Sequence, residues 1–266
     1  MKSIFFTTDF GPSSEFVGVC KVVLKKLSPK TEVIDFCHDI PSFNVELGAN
    51  LLLLCVRYSS SGIHLVIVDP GVGNERKGVV IETRRGDILI GPDNGILIHA
   101  SLFLGFKRAV EIENPKYMLP EISKTFHARD VFSPVAAHIS NGVELEKIGN
   151  FLTLKELKKP AWKKPKFKDG KFYGKILRSE KFGNIQTNIT FNLIEKLKLE
   201  RGDLLKIVIS EKEILVPFVE TFSDVSKGEL CALMDSQELL SICLNQGNAF
   251  QKLGILGGER IVLSIF

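Results

Sequence analysis

The spacing of apolar residues changes once along this chain, near residue 160, and that change limits the possible folds more than any other feature. Over the first 150 residues, short apolar runs alternate with amphipathic segments. "SIFFTTD" (3–9), "EVIDFC" (32–37) and "GIHLVIVD" (62–69) read as strands, while 15–27 and 44–58 carry apolar residues at helical spacing. "GVVIET" (78–83) and "DILIGP" (87–92) read as a hairpin, and 130–142 as a further helix. Strand–helix alternation with continuously apolar strands predicts an α/β domain built on a mostly parallel central sheet. In such sheets ligands collect at the carboxyl ends of the strands, where Asp9 and Asp69 fall.

Beyond the break, "FYGKILRSE", "LLKIVIS", "EILVPFVETF" and "RIVLSIF" are short, strand-like and separated by turns, with one predicted helix at 238–254. They predict a smaller second domain, a β-barrel or sandwich. The Lys- and Pro-rich stretch between the halves reads as a linker. The expected division is 1–158, a linker at 159–170, and 171–266.

Composition narrows the function classes. With 266 residues, 44% hydrophobic and 25% charged, the chain has material for full cores. A formal charge of +4 without a concentrated basic face argues against nucleic acid as a partner. No apolar run approaches the ~18 residues of a membrane span. "MKSIFFTTDFG" reads as a first strand and not a signal peptide, so a cytoplasmic protein is expected. Cys20, Cys37, Cys55, Cys231 and Cys243 contain no C-x-x-C pair and read as core thiols; no metal site is expected.

Three apparent motifs fail. "DFG" (9–11) lacks the other kinase elements, "GVGNER" (71–76) has Arg76 where a third glycine belongs, and "GNERKG" (73–78) lacks the Lys–Ser/Thr ending of a phosphate loop. More informative are polar residues placed at the ends of apolar runs. These are Asp9 and Asp69, then "GPDNG" (91–95), a turn in which Asp93 and Asn94 would bond their own backbone. "TFHARDVFSP" (125–134) sets His127, Arg129 and Asp130 before a helix, and "KFGNIQTNI" (181–189) interrupts a strand-rich region. "MDSQELL" (234–240) reads as a helix start capped by Asp235 or Ser236. Each also fits a plain cap or turn, and none by itself names a substrate.

Taken together, "TTDFG", "VIDFCHDIP", "VDPGVGNER", "GPDNG", "FHARDVFSPVAAH", "KFGNIQTNI" and "GNAFQKLG" resemble the S-adenosylmethionine (SAM) hydroxide adenosyltransferases, or SAM hydrolases. These are relatives of the SAM-dependent fluorinase and chlorinase. The pieces occur in the family's order across essentially the whole chain. The resemblance implies an α/β domain joined to a β-barrel, and hydrolysis of SAM to adenosine and L-methionine by attack of water on the ribose C5′. It implies no cofactor, and a homotrimer whose active sites lie between subunits. Asp69, Arg76 and His127 match the residues that activate water, and Asp9 the ribose-binding aspartate. Phe182 and Asn184 match the adenine-packing segment, Asn248 and Ala249 the turn that reads the adenine edge, and Ser236 a position near the methionine carboxylate. Two departures stand out: Glu180 where an aspartate usually meets the methionine ammonium, and Ser14 where the first loop often has another aspartate.

Departure of a neutral thioether from a sulfonium needs no general acid, so the difficulty lies in the nucleophile. Bringing water's pKa of roughly 15.7 toward neutrality takes on the order of 12 kcal/mol. One arginine at ~4 Å supplies roughly 4 kcal/mol at an effective dielectric of ~20. Arg76 alone is insufficient: either Asp69 or His127 accepts the proton, or the sulfonium charge and the positioning of the water carry the rest. The favoured reading is a positioned, partly deprotonated water with Asp69 and His127 sharing the work. His127 and Ala128 stand where the halogenating relatives have tyrosine and serine, so hydroxide is expected over halide. A SAM- or adenosine-binding sensor without turnover and, less favoured, a SAM-dependent halogenase are the alternatives.

Overall fold

The computed structural model describes residues 2–266. They form two compact units that divide between Trp162 and Lys163.

In the first unit the chain runs through β1 (Ile4–Thr8), α1 (Glu15–Leu27), β2 (Val33–Cys37), α2 (Val45–Tyr58), β3 (Ile63–Ile67), β4 (Gly78–Thr83), β5 (Ile88–Pro92), α3 (Ile98–Phe103), β6 (Phe106–Glu111), α4 (Ser133–Ser140) and β7 (Phe151–Leu152). Seven strands lie in the order β2-β1-β3-β5-β4-β6-β7. The sheet is mixed. β2, β1, β3 and β5 pair in parallel, whereas β4 pairs antiparallel with β5 and β6, and β6 with β7. The short connection 84–87 between β4 and β5 permits only antiparallel neighbours, as the expected hairpin requires.

The first two helices match their sequence patterns because each has a cap and one apolar stripe. Ser14 accepts a hydrogen bond from Phe16 N at 3.2 Å and so caps α1, which buries Val17, Cys20 and Leu24. Serine and aspartate are near-equivalent in this role, which accounts for Ser14 structurally. Asn44 caps α2 by accepting from Leu47 N. The core joins Phe6, Ile67, Leu65 and Val80 of the sheet to Phe132 and Val135.

The second unit contains β8 (Lys166–Lys168), β9 (Lys171–Ser179), β10 (Ile185–Thr190), α5 (Phe191–Ile194), β11 (Leu204–Ile209), β12 (Lys212–Pro217), β13 (Leu230–Met234), β14 (Leu239–Leu244), α6 (Ala249–Leu253) and β15 (Arg260–Ile265). Seven of its strands follow the order β12-β11-β15-β9-β10-β14-β13, and β8 pairs with β9. A bridge from Phe218 to Ala232 joins the chain just past β12 to β13, so the antiparallel sheet nearly closes into a barrel. Phe172, Ile185, Ile207, Ile242 and Leu263 fill it.

The helix expected at 238–254 is not formed as such. Leu239–Leu244 is a strand paired on both sides, and only Ala249–Leu253 is helical. A strand buried on both faces shows no alternation, so "LLSICL" cannot be told from a helical segment by period. Residues 159–165 belong to no strand or helix. Trp162 meets His99 edge-on at 5.6 Å within the first unit, and Lys166–Lys168 already belongs to the second sheet.

Candidate functional site

The carboxyl ends of β1 and β3 deliver Asp9 and Asp69 to one cleft of about 270 Å³, which Phe10, Phe16, Phe43, Phe126 and His127 also line. Past Asp69 the chain turns through 70–75 and returns as Arg76 just before β4. Gly73 makes this return possible. Its φ of +80° is costly for any residue with a side chain, and a Cβ there would sit 2.3 Å from the Lys124 carbonyl oxygen. The loop bearing Asp69 and Arg76 therefore lies directly on the segment leading to His127.

Arg76 unites the three candidate catalytic residues. Its Nε donates to both Asp69 oxygens, at 3.0 and 2.9 Å, and its Nη2 donates to Asp69 Oδ2 and to His127 Nδ1, the latter at 3.0 Å. The side chains of Arg76 and Asp69 are each only 8% exposed, so this charge-assisted pair is shielded from water. The guanidinium also lies over the Phe132 ring, 4.9 Å from its centroid. A guanidinium has no lone pair to offer, so His127 Nδ1 must be the acceptor and the neutral ring carries its proton on Nε2. Burial, and after it the Arg76 charge, lower the His127 pKa below its ordinary 6.5, against the pull of Asp69 and Asp130.

His127 stands at the entrance to a wide π-helical turn, Ala128–Phe132, which continues into α4. Asp130 anchors that turn. It is fully buried, takes Arg129 Nε and Nη2, and accepts Ser123 N at 2.8 Å. Asp9 accepts Phe43 N on Oδ2 at 2.8 Å, leaving Oδ1 and one further lone pair for a ligand. Burial pushes its carboxyl above the usual range; the Phe43 N–H opposes this and the Asp69 charge adds to it.

Sequence reasoning missed several supports. Thr8 Oγ1 meets His38 Nδ1 at 2.9 Å and accepts Phe10 N, and His38 Nε2 lies 3.2 Å from Asp35, so a small polar chain shapes the turn that carries Asp9. Phe10, Phe16 and Phe126 form an aromatic wall, with Phe16 and Phe126 4.9 Å apart. Clustered phenylalanines in "DFGPSSEF" and "TFHARD" were the available signal. In "GPDNG", Asn94 bonds locally to Ile96 N and also donates to Val68 O, fixing the chain beside Asp69. Asp93 does not bond its own backbone as expected; it accepts Lys158 N at 2.9 Å.

In the second unit Glu180, Phe182, Asn184, Asn248 and Ala249 gather around one turn, and Ser236 lies in another. Glu180 and Asn184 close the first, with Glu180 N donating to Asn184 O at 2.9 Å and Asn184 Nδ2 to Glu180 Oε2 at 3.3 Å. Gly183, with φ +86°, packs so closely on Asn248 that a Cβ would meet its Cγ at 2.3 Å. Asn248 caps α6 by accepting Gln251 N, and Ala249 is buried. Phe182 is 78% exposed. Ser236 does not start a helix. It lies in the β13–β14 hairpin turn, where Asp235 Oδ1 accepts Gln237 N and Leu239 N. The expected helix start at Ser236 is therefore absent, because short-range bonds of Asp235 serve a turn as readily as a cap.

Comparison with known proteins finds a family match over both units. Residues 4–149 match the family model described as SAM hydroxide adenosyltransferase N-terminal domain, and residues 174–262 the corresponding C-terminal domain. The chain is 37% identical to an (R)-S-adenosyl-L-methionine hydrolase of Salinispora tropica, over 97% of this chain and 96% of that one. It is 33% identical to the (R)-S-adenosyl-L-methionine hydrolase of Methanocaldococcus jannaschii, over 95% and 92%. The crystal structure of an uncharacterized conserved protein from Thermotoga maritima superposes with a TM-score of 0.89 at 36% identity, covering 98% of this chain and 99% of that one.

Proposed function

The chain belongs to the SAM hydroxide adenosyltransferase family, and we propose that it hydrolyses SAM to adenosine and L-methionine. The observation that carries this reading is Arg76 bound at once to Asp69 and His127, two residues that line one cleft together with Asp9. Water attacks the ribose C5′, the C5′–S bond breaks to release methionine as a neutral thioether, and one proton leaves the water.

The hydrogen bonds favour one destination for that proton. Arg76 occupies the basic nitrogen of His127, so His127 offers the water an N–H at Nε2 and not a base. Asp69 Oδ1 accepts one hydrogen bond from Arg76 and keeps a lone pair, which makes Asp69 the acceptor. The paired Asp69 charge offsets much of the Arg76 field, so Arg76 acts mainly by orienting its two neighbours. General-base transfer contributes typically ~10²–10⁴-fold. Positioning of the water against an already reactive sulfonium supplies the larger part, up to about 7–11 kcal/mol. The chemistry calls for no cofactor.

In the same reading Asp9 holds the ribose hydroxyls, Phe182 and Asn184 pack on and bond the adenine, and the Asn248–Ala249 backbone reads its edge. Glu180 meets the methionine ammonium and Ser236 the carboxylate end. We further propose a cytoplasmic homotrimer in which these second-unit residues face Asp69 of a neighbouring copy. Supporting this, Asp9, Asp69 and His127 line one cleft of the first unit, while Glu180, Asn184 and Asn248 belong to the second. Sedimentation should then give three times the 29.6 kDa chain mass. The deciding experiment follows adenosine, methionine and 5′-chloro-5′-deoxyadenosine chromatographically from SAM with and without chloride. Equal adenosine and methionine, abolished by Arg76→Ala while SAM still binds, is the expected result. Bound SAM without product in the unaltered protein would point to a sensor instead.

A further inference from the structure

Three adjacent strands of the second unit carry a polar rung outside the barrel core. Arg178 pairs with Gln186 across β9 and β10, and Gln186 with Ser241 across β10 and β14. The contacts follow the register. Arg178 Nε donates to Gln186 Oε1 at 3.1 Å, Gln186 Nε2 to Asp235 Oδ2 at 2.7 Å, and Ser241 Oγ to the same oxygen at 3.0 Å. Gln186 and Ser241 are fully buried. The other Asp235 oxygen holds the turn that contains Ser236. One hydrogen-bonded chain thus fixes both Arg178 and the Ser236 turn.

Arg178 is only partly engaged. Among the described residues its guanidinium makes that single hydrogen bond, through Nε. Its Nη2 lies 3.9 Å from Glu180 Oε1, too far for a hydrogen bond, with the two side chains 21% and 26% exposed. A guanidinium held at Nε by a buried glutamine, with both terminal nitrogens open, beside a carboxylate it does not close upon, matches the two charges of an α-amino acid zwitterion. Resting on the hydrolase reading, we propose that Arg178 binds the α-carboxylate of the substrate's methionyl group while Glu180 takes the ammonium. A guanidinium fork suits a carboxylate better than a lone serine hydroxyl does, and charge-assisted bonds of this kind favour a substrate that has the carboxylate. Gln186 and Asp235 are positioning residues: they aim the fork.

The test compares SAM with its decarboxylated analogue, which keeps adenosine, sulfonium and amine. The intact protein should prefer SAM by about 10- to 100-fold in kcat/KM, the range expected for a hydrogen bond to a charged group. In Arg178→Met that preference should collapse toward unity, the loss on SAM appearing in KM more than in kcat, with Arg178→Lys recovering part of it. Equal losses on both compounds would assign Arg178 a structural role, and an undiminished preference in Arg178→Met would also overturn the proposal. If no adenosine forms from SAM in the intact protein, the hydrolase reading fails. Calorimetric binding of the same two compounds to the protein and to Arg178→Met then still decides for or against the carboxylate contact.

Discussion

The two polar centres of this protein are built on opposite plans. Around Asp69, Arg76 and His127 most bonding capacity is already used: Arg76 makes four contacts on two partners, over an aromatic ring, with little exposure. Around Glu180, Arg178 and Ser236 the supports are buried, but the groups that would meet a ligand stand open. A reacting atom must find its neighbours already oriented, since reorganisation during reaction raises the barrier. A flexible amino-acid tail needs only fixed charges with free valences. The contrast teaches that preorganisation serves the first centre in the ligating atoms themselves and the second in the residues behind them.

The sharpest way to break the contrast is to remove the base while keeping its shape and the oxygen that takes Arg76 Nε and Nη2, at the cost of the Oδ1 contact. Asp69→Asn should lower kcat by ~10²–10⁴-fold with little change in KM, measured as adenosine release; a change confined to KM would place Asp69 in binding. Next is Phe132→Ala, which deletes a fully buried ring beneath Arg76. A loss of about 3–5 kcal/mol in urea unfolding is expected, together with slower turnover of the folded fraction.

Gly183→Ala tests the open centre. The strained φ and the Asn248 contact should cost about 1–3 kcal/mol and raise KM while sparing kcat. A fall in kcat of the same size would mean that this turn also shapes the reacting geometry. The acid limb of the pH profile gives the mildest effect. The folded-state pKa of His127 is lowered, so the ring is neutral at pH 7 and Nδ1 can accept from Arg76. Protonation places an N–H against that guanidinium, so kcat should fall as pH drops through a value below 6.5. Stability moves the same way. The unfolded chain binds the proton first, so the contribution of neutral His127 is complete above 6.5 and is lost as pH falls from there toward the folded-state pKa. A His127→Asn variant should flatten the kinetic limb.

Local pattern sufficed wherever one face of an element is apolar and its end is capped. α1 spans 15–27 and α2 follows Asn44 because stripe and cap coincide, and the 78–92 hairpin follows from a short polar connection. The polar residues at the carboxyl ends of β1 and β3 were legible as site candidates for the same reason: an aspartate ending an apolar run is conspicuous. Local pattern misled in the central strand β14, where burial on both faces erases the period, and at Asp235, whose side chain supports a turn as well as a helix start.

The sequence by itself determined β1 to β5 with α1 and α2, the change of architecture near residue 160, and which side chains were available for chemistry. Only the tertiary structure decided how they act. Arg76 and His127 are 51 positions apart, and nothing local specifies which imidazole nitrogen the guanidinium covers. Arg178, Gln186 and Ser241 meet because three strands share a register, and a one-residue slip would turn each to the other face. Side-chain identity is a local property. The protonation state and free valence of a side chain are set by neighbours that the fold brings from elsewhere in the chain.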